Sequence, residues 1–190
     1  MLRASHLTLV IPAVACAAAF LIAGEDAKSD SAPCLVIWHT GGMQENPNHG
    51  LEVAIWSDGV VLLSPLPESL GKHMLTGRID KQELADALRC IHDVGFSKLT
   101  RDWQVPDSEF TTIAVLDGQT ATHSWHEYLM PGFGGDLNTD ADYRAFIRTW
   151  KKTRAAIEGL APIELRPIGN AKEFRGYLVD APYKTTWRPW

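Results

Sequence analysis

Two Asp-Gly dipeptides, Asp58-Gly59 and Asp117-Gly118, constrain this chain more than any other feature. Each lies between runs of strand-forming residues: Leu51 to Trp56 and Val60 to Leu63 around the first, Ser108 to Leu116 and Thr120 to Tyr128 around the second. An Asp-Gly pair tolerates the positive φ that a two-residue hairpin turn imposes, so each pair predicts two antiparallel strands. In the first hairpin Leu51, Val53 and Ile55 alternate with Glu52, Ala54 and Trp56, as side chains of a strand do. Cys34-Leu35-Val36-Ile37-Trp38 is an earlier strand ended by Gly41-Gly42, and Met74-Leu75-Thr76 is a short later one.

Each hairpin leads, through a loop, to a helix opened by an aspartate. Asp80 is the expected N-cap of the first helix, and Glu83 completes a capping box. Leu84, Ala87, Leu88, Ile91 and Val94 share one face of that helix, and Gly95 ends it. The second helix is expected from about Asp140 to Gly159, with Tyr143, Phe146, Ile147, Trp150 and Ile157 as its apolar stripe. Asp58 precedes Asp80, and Asp117 precedes Asp140, with nearly equal spacing. That echo fits duplication of a β-β-α unit, but coincidence is the better reading for so common a unit with so little shared sequence. The expected fold is α+β: an antiparallel sheet of about five or six strands built from two Asp-Gly hairpins, with two helices packed on one face. Ile163-Glu164-Leu165-Arg166-Pro167 suits an edge strand, where proline is tolerated.

The first residues have a different character. Arg3 precedes an uncharged apolar stretch from Leu7 to Ala23, and acidic, polar residues follow from Glu25. A positive start, an apolar middle and small residues at a cut define a secretory signal. The domain plan is therefore a signal peptide over 1–24, a polar leader over 25–33, an α+β domain over 34–160 and an extended C-terminal segment over 161–190. With the signal removed, no membrane span remains in the sequence. The expected location is periplasmic or extracellular. Cys34 and Cys90 would then meet oxidising surroundings, where a bridge between them would contribute about 4 kcal/mol. Two buried free thiols fit the same spacing, because cysteine packs well as a small hydrophobe.

The net charge of −5 gives no general attraction for phosphate backbones, which disfavours nucleic-acid binding. His123 and His126 would chelate a metal from a helix. On a strand they point to opposite faces, and His123 and Glu127, though on one face, are about 13 Å apart. No metal site is expected there. The glycine loop Pro131-Gly132-Phe133-Gly134-Gly135-Asp136 lacks the Lys-Ser/Thr pair of a phosphate loop and carries acid instead, so no nucleotide cofactor is expected. No serine has the Gly-x-Ser-x-Gly setting of a hydrolase nucleophile. Asp102, Asp107 and Glu109 form an acidic stretch best read as solvated charge.

The binding candidates lie in the connection from His39 to His49, which carries Gly41, Gly42, Met43, Gln44 and Asn46, in Phe133 of the glycine loop, and in Trp187 and Trp190 at the end. The terminal Trp187-Arg188-Pro189-Trp190 resembles the tetrapeptide by which Hairy-type repressors recruit the Groucho corepressor. That family's basic helix-loop-helix region is absent, and export removes the nuclear partner. The two tryptophans then read as an apolar clamp on the tail or as an aromatic anchor for a partner. Not all seven tryptophans are expected to be buried.

Residues 34–128 resemble, in layout, small secreted bacterial proteins, including those of planctomycete-like bacteria. They also resemble emfourin-type inhibitors of thermolysin-like metalloproteases, which place Gly-Gly after an early strand, here Gly41-Gly42, and an acidic residue before a later strand, here Asp107. Thr40 stands where that family carries a basic residue. The functional expectation is a secreted or periplasmic non-catalytic module that binds a protein or envelope component. The alternatives are an inhibitor of secreted proteases and an extracytoplasmic enzyme in which His39, His49, His123 or His126 converge with Asp or Glu.

Overall fold

The computed structural model describes residues 32–41, 50–65, 70–71, 73–103, 109–117, 119–126, 140–169, 173–175 and 177–178. The chain runs β1 (Leu35–Gly41), β2 (Gly50–Ile55), β3 (Val60–Leu63), β4 (Leu75–Arg78), α1 (Lys81–Asp93), a short 3₁₀ turn (Phe96–Lys98), β5 (Glu109–Asp117), β6 (Gln119–Trp125), α2 (Ala141–Glu158), β7 (Ile163–Pro167), β8 (Glu173–Phe174) and β9 (Tyr177–Leu178). The first seven strands form one sheet in the order β6-β5-β1-β2-β3-β4-β7, every neighbouring pair antiparallel. Among the described residues, β8 and β9 pair only with each other. The sheet thus has more strands than the sequence predicts. Asp58 and Gly59 lie between β2 and β3, and Gly59 has φ +86°.

Both helices begin where their aspartates stand. The Asp80 carboxylate accepts the amides of Gln82 and Glu83, and Asp140 accepts those of Asp142 and Tyr143. These bonds satisfy amides that a helix start otherwise leaves unpaired. Glu83 does not bond back to the cap. Its Oε1 accepts the Ala161 amide at 2.9 Å instead, tying the first turn of α1 to the chain beyond α2. Gly95, at φ +80°, stops α1, as its amide returns to the His92 carbonyl.

The helices bury Leu84, Ala87, Ile91, Tyr143, Phe146, Trp150 and Ile157 against Leu35, Ile37, Ile55, Val61, Ile113 and Val115 on one face of the sheet. The opposite face is also apolar and buried: Val36, Trp38, Ala54, Trp56, Leu62 and Ala114 pack there with Met74 and Phe174. The central strands therefore read as continuous apolar runs because both of their faces are covered. Trp38, Trp56, Trp103, Trp125 and Trp150 are all buried, and Trp187 and Trp190 lie outside the described residues.

The cysteine bridge is not formed. Cys34 is buried at the start of β1, with its thiol donating to the Ile55 carbonyl, while Cys90 is on the solvent side of α1. Leu84, Ala87 and Ile91 take the core-facing stripe of that helix and turn Cys90 outward.

At the far edge, β7 pairs with β4 through a register shift opposite Gly77. A Cβ on Gly77 would meet the Ile163 carbonyl at 2.6 Å, so only glycine admits this approach. Glu164 at φ 56° and Pro167 interrupt the regular edge. A bulge and a proline are devices that blunt an edge against further strand addition.

Candidate functional site

Antiparallel pairing brings four strand ends together. β1 ends at Gly41, opposite Glu109 where β5 begins, and His39 is opposite Gly50 where β2 begins. Thr111 of β5 is opposite Trp125, where β6 ends. The connections 42–49, 104–108 and 127–139 therefore all leave from one end of the sheet. The strand ends at Gly41, Gly50 and Trp125, which flank the connections holding the sequence candidates, lie at that end.

Beneath this end runs a polar chain that crosses from the sheet to α2. Its origin is an irregularity in β2. Ile37 pairs with Val53, but Trp38 pairs with Leu51, which leaves Glu52 as an extra residue. Such a bulge re-aims a side chain that strict alternation would send elsewhere. It also moves Leu51 to the second face, away from Val53 and Ile55, whereas simple alternation groups all three. Glu52 Oε2 accepts from His39 Nε2 at 2.6 Å. Arg154 Nη2 donates to Glu52 Oε1 and Oε2 at 3.1 and 3.2 Å. Arg154 Nε donates to Glu158 Oε1 at 2.6 Å. On the far side of the imidazole, His39 Nδ1 meets Thr111 Oγ1 at 3.2 Å.

A carboxylate only accepts, so His39 Nε2 carries the hydrogen of the bond to Glu52, and Nδ1 shares a hydrogen bond with the Thr111 hydroxyl. Burial alone would raise the Glu52 pKa. The His39 hydrogen bond and the Arg154 charge outweigh that effect and hold the carboxyl below its ordinary range. The His39, Glu52 and Arg154 side chains are 26%, 25% and 23% exposed, so the pairing is partly shielded from water.

Thr111, His39 and Glu52 have the residue types of a nucleophile, base and orienting acid. Thr111 is buried in mid-strand, however, between neighbours on both sides, so its hydroxyl offers no approach to a substrate. The arrangement clamps strand ends. His39 on β1 is tied to β2 and β5, and Glu52 ties β2 to α2.

Two other histidines serve the same kind of duty separately. His123 Nδ1 is 3.1 Å from Asp102 Oδ1, which also accepts the Ser124 amide at 3.2 Å. The His123 ring rests edge-on against Phe96. This contact, with the Trp103 amide donating to the Ser124 carbonyl, holds residues 102–103 along the outer edge of β6. His126 Nδ1 donates to the Glu109 carbonyl and joins the end of β6 to the start of β5. His39 and His123 are two strands and two residues apart, about 12 Å by sheet geometry, so they share no site. Among the described residues, no three His, Cys, Asp or Glu side chains gather as a metal group.

Of the binding candidates, His39 and the backbone of Gly41 lie at the clamped end. Gly42, Met43, Gln44, Asn46, His49, Phe133, Trp187 and Trp190 lie outside the described residues, as do Asp107 and Glu127. Glu52, Thr111 and Arg154 carry the network and were not marked by sequence reasoning. The one available signal was a charged residue in an otherwise apolar strand. No protein family, curated protein or solved structure matches this chain.

Proposed function

We propose that this chain is an exported, non-catalytic binding module that contacts a protein or envelope component through the loop-bearing end of its sheet. The observation that carries this reading is the departure of three connections from one end, above strand ends clamped by His39, Glu52, Arg154 and His126. Loops on a rigid scaffold are the usual place for recognition, because they vary without disturbing the core. Clamping their roots limits the ordering entropy lost on binding. Export rests on the charge and apolar pattern of the first residues. Among the described residues no helix is long and apolar enough to cross a membrane. The test compares captured partners from envelope extract for the mature chain and for a chain lacking 43–49. Loss of a saturable partner on deletion is expected, and an unchanged set of partners refutes the assignment of this end.

A second reading is an inhibitor of secreted thermolysin-like proteases. It is favoured by the pairing of Gly41 with Glu109. That pairing sets the roots of the Gly41-Gly42 and Asp107 segments, the two features of the inhibitor resemblance, on adjacent strands at the same end. Adding the mature chain to such a protease decides it: inhibition that titrates to a fixed stoichiometry supports the reading, and full activity at large excess removes it.

A further inference from the structure

The second face of the sheet is closed in an unequal way. Val36, Trp38, Ala54, Trp56, Leu62 and Ala114 lie there, and among the described residues no helix covers them. The later chain reaches this face with Ile168 and with Phe174, from the β8–β9 hairpin. Among the described residues that hairpin makes no backbone ladder with the main sheet. A two-stranded hairpin alone is marginally stable, so its contacts with the sheet must hold it in place.

Those contacts converge on one corner. Phe174 meets Trp56 edge-on, with ring centroids 5.6 Å apart. Arg175 Nη1 donates to Asp58 Oδ1 at 2.9 Å and Nη2 to Oδ2 at 2.6 Å, a two-pronged pair. The guanidinium also sits over the Trp56 ring, 5.2 Å from its centroid. Phe174 pairs with Tyr177, and Arg175, which follows Phe174 where the hairpin reverses, has the positive φ of 50° that tight hairpin turns demand. Asparagine or glycine meets that demand with less strain. An arginine held there places its guanidinium at the tip, where it meets the Asp58 carboxylate. Asp58 is fixed in turn, since its Oδ1 accepts the Val60 amide at 3.2 Å.

We propose that β8–β9 is a strap closed over the second sheet face by the Asp58–Arg175 lock, and that opening the lock uncovers Trp56 and its apolar neighbours without unfolding the sheet. The Arg175 side chain is only 7% exposed, while Asp58 is 44% exposed. An arginine does not shed its charge, so without the carboxylate it cannot stay buried and must turn outward. The turn that carries it moves too, and Phe174 leaves with it. The lock therefore opens as a unit.

The test uses the mature chain and the variants Arg175→Ala, Asp58→Asn, Arg175→Lys and Phe174→Ala. Arg175→Ala and Asp58→Asn are expected to bind a hydrophobic dye that the wild type does not bind. Cleavage within 170–178 should accelerate by at least about tenfold, since cleavage follows the open population. The far-UV spectrum and the main cooperative unfolding transition should persist. Phe174→Ala should reproduce this effect, and Arg175→Lys, which keeps charge but loses the fork, should fall between. A silent dye and unchanged cleavage in Arg175→Ala overturn the lock. Loss of the far-UV spectrum in both Arg175→Ala and Phe174→Ala overturns the strap, because the hairpin would then be integral to the sheet.

Discussion

Thr153 offers a test in which a single oxygen decides the sign. It lies in α2 at 0% exposure, and among the described residues its Oγ1 has no hydrogen-bond partner. A helical threonine ordinarily bonds a carbonyl in the preceding turn. Trp150 Nε1 and Trp125 Nε1 are likewise buried and unpartnered among the described residues, and the two rings meet 5.9 Å apart, so this layer of the core holds polar atoms without compensation there. A buried unpaired hydroxyl costs about 1–3 kcal/mol. Valine has nearly the same shape and helix propensity. Thr153→Val should therefore stabilise the protein by about 1–2 kcal/mol. Thr76→Val is the matched control: Thr76 is also buried, but its Oγ1 donates to the Val61 carbonyl at 2.9 Å. The same substitution there should destabilise by about 1 kcal/mol. Urea unfolding measures both, with an unchanged denaturant slope confirming that the unfolded state is unaffected. Destabilisation of Thr153→Val equal to that of Thr76→Val would refute the reasoning and show that the Thr153 hydroxyl is hydrogen-bonded in solution.

The clamp and the thiols give two further expectations. Glu52→Gln should cost on the order of 1–2 kcal/mol near neutral pH, discounted for its partial exposure. Because the folded Glu52 pKa is depressed, its contribution is complete above the unfolded value and disappears as pH falls through the folded one. Wild type and Glu52→Gln should thus converge in stability in acid, and a gap that does not change with pH would dismiss the ionic account. In the chain lacking 1–24, Cys90 should react with a thiol reagent in the native state, and Cys34 only after denaturation. Protection of both thiols, reversed by a reductant, would indicate that the bridge forms after all.

Much of the layout was legible because it rests on local chemistry. Asp80 and Asp140 announce helix starts through carboxylates that bond amides two and three residues ahead, a contact that needs no tertiary context. The stripes of Leu84, Ala87 and Ile91 and of Tyr143, Phe146 and Trp150 follow from helix periodicity. The cover of the second face was less legible. Val36 and Trp38 read as ordinary strand residues, and nothing local says that Phe174, so far along the chain, will pack with them. The cysteine pair failed for a related reason. Cys90 belongs to a helix whose core stripe was recognised, and that stripe already directs its thiol to solvent, so rotation rather than loop length governs whether a bridge can form.

The polar network marks the limit more sharply. Strict alternation assigns Glu52 to the face of Ala54 and Trp56, where a carboxylate has no reason to be. One inserted residue changes that face, and only the pairing of Trp38 with Leu51 reveals the insertion. The bulge and the network explain each other. Glu52 can turn toward α2 only because the strand is bulged, and burying a carboxylate there is tolerable only because His39 and Arg154 receive it. Straightening β2 by deleting Glu52 should consequently do more than remove an ion pair. It would leave Arg154 without this counter-charge, free His39 at the end of β1, and unfasten the roots of the 42–49 connection. If the loop-bearing end recognises a partner, that deletion should weaken binding more than Glu52→Gln, which keeps the bulge. Equal binding losses would separate the clamp from recognition and place the function elsewhere on the molecule.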